Sequence, residues 1–475
     1  MSAVVAPGGG TVTFTPAAYI SGSQFKIRGT SGNNRISQFF STWKTDNPGT
    51  STTTQITLPL VSGQTYNATV NWGDGTSSTL STDSPVTHTY PNSGSYTVYT
   101  TGDFGGIRFS FGGDRRKLLN ISNWGNFVIS TNQMFGGCSN FTSTATDTPI
   151  ITTTSFYQMF RDSVIFNGPV NDWDVSKVTN FYGCFYQCFA FNQPIDKWDI
   201  RNAGPGTYPS FVGLTYFFTT FTTPGAFNQN IESWKIGESN ATSLFALLSG
   251  QVNYNQPLNS WDISKITDLG YVFNRCSSFN QPLDNWNTSN VTNMTSVFGF
   301  NYSFDQNIGS WDVSKVTGTA AYTAGFWQMF YNATSFNNGG SPSIGDWTIN
   351  TSGPLTMEQM FAVATSFNQP IGSWNTSKVV NFKQMFQGAT SFDQDLSGWN
   401  VESAQNMTQM FDGVTLSTSN YDAMLVSWAS QSVSSSVVFD GGNSQYTGIP
   451  GSAPSASRAT LINTYGWTIT DGGPV

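Results

Sequence analysis

His88 is the one histidine in this chain of 475 residues, so any serine- or cysteine-based catalytic arrangement would have to use it. It sits in the run Thr87-His88-Thr89-Tyr90, between a turn and a returning strand, where a structural hydrogen bond is the better reading. None of the four cysteines is near it in sequence. Cys138, Cys188 and Cys276 each follow a phenylalanine by three residues (Phe135, Phe185, Phe273). Ala333, Ala364 and Ala389 fill the same slot after Phe330, Phe361 and Phe386. A slot shared by cysteine and alanine is a small buried site, in which a thiol acts as a compact hydrophobe. Cys184 stands where Met385 and Met410 stand, and its spacing to Cys188 matches no zinc pattern. The core reading is therefore preferred to a disulfide or a metal pair.

Carboxylates need separate weighing, because a glycosidase requires only one positioned pair. Asp174, Asp262 and Asp312 recur at a single repeat position and should stack as a ladder. A ladder gives every member the same surroundings, whereas acid and base roles need environments that push two groups apart. Lys177, Lys265, Lys315 and Lys378 form a similar solvated stripe. Asp74 is read as a turn residue in preference to a calcium ligand. No phosphate loop of the Gly-Lys-Ser/Thr kind occurs, nor a Gly-x-Gly-x-x-Gly after a strand. No catalytic residue, metal site or cofactor is expected.

The elements that would position these residues are repeats. Trp173, Trp198, Trp234, Trp261, Trp286, Trp311, Trp347, Trp374 and Trp399 fall at intervals of 25, 36, 27, 25, 25, 36, 27 and 25. Each full unit leads with a block such as Phe279-Asn280-Gln281-Pro282-Leu283 and follows its tryptophan with one such as Asp174-Val175-Ser176-Lys177-Val178-Thr179-Asn180. Asn293 precedes Met294, Val297 and Phe298, and Asn381 precedes Phe382, Met385 and Phe386. Apolar residues at i, i+3 and i+4 after an N-cap asparagine predict a short helix. Alternation at Trp173/Val175 and Trp311/Val313 predicts a short strand. No 25-residue unit could offset its own ordering entropy, so the units must stack. The stack should begin near Leu118–Ile121 and end in a helix over 455–466 and a strand over 467–470.

Residues 51–111 have another rhythm. Tyr66, Ala68, Val70 and Trp72 alternate, Asp74-Gly75 turns the chain, and Tyr96/Val98 and Ile107/Phe109/Phe111 read as returning strands. Composition excludes other classes. Charged residues are 10% of the chain, with 19 Lys+Arg against 27 Asp+Glu, too few cations for a nucleic-acid stripe. Aromatics at 15% argue against disorder. Met1 to Phe14 has no secretory pattern, and no apolar run is long enough to enter a membrane as a helix.

The Trp72-Gly73-Asp74-Gly75-Thr76 run, with His88-Thr89-Tyr90 and Gly94, Tyr96 and Val98, resembles the PKD-type immunoglobulin-like domain. Residues 113–475 resemble the BspA-type repeat family through Phe-Asn-Gln-Pro-Ile, Trp-Asp-Val-Ser-Lys-Val-Thr-Asn, Met-Phe and the closing Tyr465-Gly466-Trp467-Thr468-Ile469-Thr470. That resemblance implies leucine-rich-repeat-like surface proteins, often adhesins, with similar repeats in phage-encoded proteins.

The expected fold is mixed α/β: a leucine-rich-repeat-like solenoid of about 25 residues per turn, short helix plus short strand, behind an N-terminal antiparallel β-sandwich. The expected divisions are a β-rich segment or attachment arm (1–50), a PKD-like sandwich (51–112), the repeats (113–411) and a capping region (412–475). The expected function is non-enzymatic display or adhesion on a virion surface, with a bacterial cell-surface adhesin and a carbohydrate-active enzyme as the rivals. Partners would be a protein or glycan surface ligand and other virion proteins, with no nucleic acid and no membrane insertion. Inserts at 201–213, 318–328 and 337–343 break the period, and Tyr208, Tyr322, Phe326 and Trp327 are the candidate recognition aromatics there.

Overall fold

Strand formation follows from period-two alternation in the first part of the chain. In the computed structural model, which describes residues 38–205, 213–220, 223–319 and 325–475, β1 (Phe39–Lys44) and β3 (Tyr66–Asn71) bury every second side chain. Between and after them come β2 (Gln55–Leu58), β4 (Ser77–Leu80), β5 (Val86–Thr89), β6 (Ser95–Phe104) and β7 (Leu118–Asn123). Short strands follow: β8 (Val128–Ile129), β9 (Thr142–Ser143), β10 (Ile150–Ile151), β11 (Leu355–Thr356), β12 (Val379–Asn381), β13 (Val438–Asp440) and β14 (Thr468–Thr470). The helices are α1 (Thr418–Ala429) and α2 (Ala453–Asn463). Ser37–Val475 forms one compact unit.

One sheet of six strands runs in the order β4-β3-β6-β1-β7-β9, and β2 pairs with β5 apart from it. The expected N-terminal antiparallel sandwich is therefore corrected. Its main sheet borrows β1 from the segment read as an arm and continues through β7 into the repeats. The change of direction is at β7, which is antiparallel to β1 (Thr42 opposite Asn120) and parallel to β9 (Asn120 opposite Thr142). Beyond it, every pairing between successive repeats is parallel and short, as at Ser155/Asn180, Asp268/Asn293 and Asn381/Asn406.

The mixed α/β solenoid is also corrected: among the described residues both α-helices lie after 417, and the repeats themselves are turns and loops. The segment expected to be helical in each repeat places a residue at positive φ, Ser296 at 51°, Gln384 at 56° and Gln409 at 55°. Its alternate N–H groups then point at the next coil. Met294 donates to the Gly325 carbonyl (3.2 Å), Ser296 to Trp327 (2.8 Å) and Phe298 to Met329 (2.9 Å). A two-turn helix would leave its first N–H groups without partners, whereas this zigzag satisfies alternate ones from the neighbour. The asparagine expected as an N-cap makes a tighter turn, Asn293 Oδ1 accepting from Thr295 N at 3.0 Å. The Trp/Val alternation buries both side chains without forming a strand, as at Trp173 and Val175.

What holds the coils is aromatic stacking plus polar ladders. Phe330, Phe361, Phe386 and Phe411 stack ring on ring at 5.3, 5.8 and 5.3 Å. Trp261, Trp286 and Trp311 stack beside them at 6.4 and 6.1 Å. The Asn-Gln pair of the repeat has a matching purpose. Asn255 Oδ1 accepts both the Asn280 N–H (2.9 Å) and Gln281 Nε2 (3.0 Å), and Asn280 Oδ1 does the same for Asp305 and Gln306 (both 2.9 Å). Each asparagine thus satisfies the backbone of the coil after it.

Candidate functional site

The residues with chemical potential are held in structural roles. His88 Nε2 lies 2.7 Å from Asp74 Oδ2, while Thr76 donates through N and Oγ1 to Asp74 Oδ1 at 2.9 and 2.6 Å. Burial would raise the Asp74 carboxyl, but hydrogen bonds from Thr76 and His88 outweigh it and hold the group at about 2. The same imidazole nitrogen faces both Asp74 and Thr76, the latter at 3.4 Å. A catalytic relay needs the acid and the nucleophile on opposite ring nitrogens. His88 also stacks on Trp72 at 4.7 Å, which fixes the ring in the hairpin.

All four cysteines are free and buried, and burial pushes the Cys138, Cys184 and Cys188 thiols well above the ordinary value. Asp174, Asp262 and Asp312 each accept the backbone N–H of Ser176, Ser264 and Ser314 at 3.1, 3.0 and 2.9 Å. Those serines, by side chain and backbone, hold all three carboxyls below the usual range, so the ladder members are alike. Among the described residues no group of three or more His, Cys, Asp or Glu stands close enough to hold a metal ion. No helix there is long and apolar enough to cross a membrane.

Tyr208 and Tyr322 lie outside the described residues. Phe326 and Trp327 are buried at 0% and 6% exposure, which removes them as displayed aromatics. The reason is register: the period resumes at Phe326, which takes the inward slot that Met294 and Phe382 hold in other coils and stacks on Trp347 at 6.3 Å. The last insert instead forms short 3-10 turns, with Asn337 continuing the asparagine ladder to Asn368 and Gln369 (both 2.9 Å).

The surface that sequence reading passed over lies two residues after Phe135, Phe160, Phe185, Phe273, Phe298, Phe330, Phe361, Phe386 and Phe411, and after Leu248, which takes their place in one coil. This slot has positive φ in coil after coil: Asp162 60°, Gln187 59°, Arg275 60°, Phe300 58°, Asn332 57° and Val363 60°. Other coils place Gly137, Gly250, Gly388 and Gly413 there. The six non-glycine side chains are partly or fully exposed. Glycine pays no steric cost at positive φ, whereas other residues pay roughly 1–2 kcal/mol. The only sequence signal was the variability of this slot beside the constancy of the phenylalanine.

A family model described as "Mycoplasma protein of unknown function, DUF285" matches residues 107–208, 213–338 and 324–424. No curated protein matches the chain. No solved structure matches it either.

Proposed function

The chain belongs to this DUF285 family, and from that premise we propose that it is a non-enzymatic adhesion and display protein, its stacked repeats acting as a frame for outward side chains. One observation carries the reading. The positive-φ slot that four coils fill with glycine carries an acid, two amides, a cation, an aromatic and a β-branched aliphatic in six others, at an unchanged backbone angle. The angle itself serves the stack, since each of these six residues donates its N–H to the next coil, as Arg275 does to Gly299 and Phe300 to Tyr331 (both 2.7 Å), and it is the outward side chain that the stack leaves open to vary. The resemblance to BspA-type repeats supports a surface role, and the ligand would be a protein or a glycan.

The surface of a virus particle is the location this reading favours, with a bacterial cell surface second; antibody labelling of intact particles and of cells separates them. Binding is tested by flowing the purified chain over immobilised candidate host cells. Saturable attachment is expected, weakened when Asp162, Gln187, Arg275, Phe300, Asn332 and Val363 are together replaced by glycine. Attachment unchanged by those replacements, or turnover of a polysaccharide by the chain, would sink it.

A further inference from the structure

A hollow of about 190 Å³ opens on the same slot, between the coils that carry Gly250 and Arg275. Its floor is backbone. Gly250 sits at φ 83°, and a Cβ there would fall 2.0 Å from the Thr220 carbonyl oxygen, so this coil contributes no side chain of its own at the slot. The next residue in the column, Arg275, leans the other way and lays its guanidinium 4.8 Å over the Phe300 ring. Phe300 is anchored in turn by Tyr331, edge-on at 5.0 Å. One coil position is thus empty and the neighbouring cation forms its wall.

Arg275 itself is exposed to solvent. Among the described residues no carboxylate lies within ion-pair distance of Arg275, and its guanidinium donates no hydrogen bond to the protein. Tyr302, 46% exposed, forms the apolar rim, with Thr223 and Ser277 supplying hydroxyls. A guanidinium fork matches a carboxylate. Aromatic faces and hydroxyls match the C–H and O–H groups of a sugar ring.

We propose that this hollow binds a carboxylate-bearing sugar, of the uronic- or sialic-acid kind, with Arg275, braced on Phe300, on the carboxylate and Tyr302 along the ring. The assignment rests on the adhesion reading and names its ligand class. The full chain is titrated with glucuronate, galacturonate and N-acetylneuraminate, with glucose and acetate as controls, by calorimetry and saturation-transfer NMR. At least one acidic sugar is expected to bind roughly tenfold or more tighter than either control. Arg275→Gln should lose about that factor, and Tyr302→Ala should weaken binding while leaving the melting temperature unchanged. The proposal is overturned if none of the three acidic sugars binds saturably, if glucose or acetate binds equally well, or if folded R275Q binds as the parent does. Attachment to cells is scored separately: cells still bound while all three sugars fail would overturn this site and leave the adhesion reading standing.

Discussion

The indole N–H of Trp286 donates to the carbonyl oxygen of Leu258, 28 residues earlier and one coil back, at 2.9 Å. The same bond recurs from Trp198 to Val170 (2.8 Å), Trp311 to Leu283 (3.0 Å) and Trp399 to Ile371 (2.8 Å). Each tryptophan therefore fills its own coil and ties it to the one before. Among the nine repeat tryptophans from Trp173 to Trp399, Trp173 is the exception: its buried Nε1 has no partner, and the coil preceding it departs from the regular repeat.

Trp286→Phe removes one of the two donors on the Leu258 carbonyl, which keeps the Trp261 N–H at 3.1 Å, whereas Trp173→Phe removes a donor that was already unpaired. Chemical denaturation should show Trp286→Phe costing about 0.5–1.5 kcal/mol more than Trp173→Phe. Equal losses would mean that the indole contributes through its volume alone.

Tyr254 occupies the column of stacked phenylalanines, 6.0 Å from Phe227 and 6.2 Å from Phe279, with its hydroxyl buried and unpaired. Tyr254→Phe keeps the ring and deletes the orphan. A gain of about 1 kcal/mol is expected in thermal or urea unfolding, and a loss would show that the hydroxyl has a partner in solution.

Asp268 stands where other coils carry asparagine, and burial raises its carboxyl from 3.8 to about 6 against hydrogen bonds from Gly270, Asn293 and Ser243. Folding then takes up a proton at this site. Its stabilising contribution is complete below about 3.8 and is lost as the pH rises through about 6. Asp268→Asn should flatten the stability profile between those values and raise the melting temperature at pH 7, by an amount equivalent to about 3 kcal/mol or less. An unchanged pH profile in the variant would contradict this.

Asp114 and Lys117, both with fully buried side chains 3.9 Å apart, clasp the segment before β2. Lys117 Nζ donates to Ser51 Oγ (2.7 Å) and to the Thr52 and Gln55 carbonyls (2.8 and 2.9 Å). Asp114 accepts from the Thr50 and Thr57 N–H groups at 2.9 and 2.8 Å. Lys117→Met leaves a buried carboxylate without its cation and should cost about 3–5 kcal/mol. The double variant with Asp114→Asn should recover part of that loss. Limited proteolysis within 47–57 and melting temperature are the readouts, and strict additivity would argue against coupling.

The N-terminal expectations failed at a particular place. Alternation over Tyr66 to Trp72 is a local property and was readable, but the sheet is completed by β1, whose partners in β6 and β7 lie far away in sequence, as Val98 and Ile121 do from Ser41. Phe326 and Trp327 failed as displayed aromatics for a smaller reason: the end of the insert is not marked in the sequence, and the period resumes at Phe326. The hollow at Gly250 could not be read at all, since it depends on which way the Arg275 side chain leans.

By itself the sequence determined the period and the inward set. A tryptophan and two phenylalanines recurring every 25 residues can be removed from water only by stacking coil on coil. Tertiary structure decided the backbone between them. Apolar residues at i, i+3 and i+4 suit a helix or a left-handed zigzag equally well, because both place them on one side. The choice fell to where the intervening N–H groups find acceptors. Those acceptors are carbonyls of the next coil, which exist only once the stack has formed.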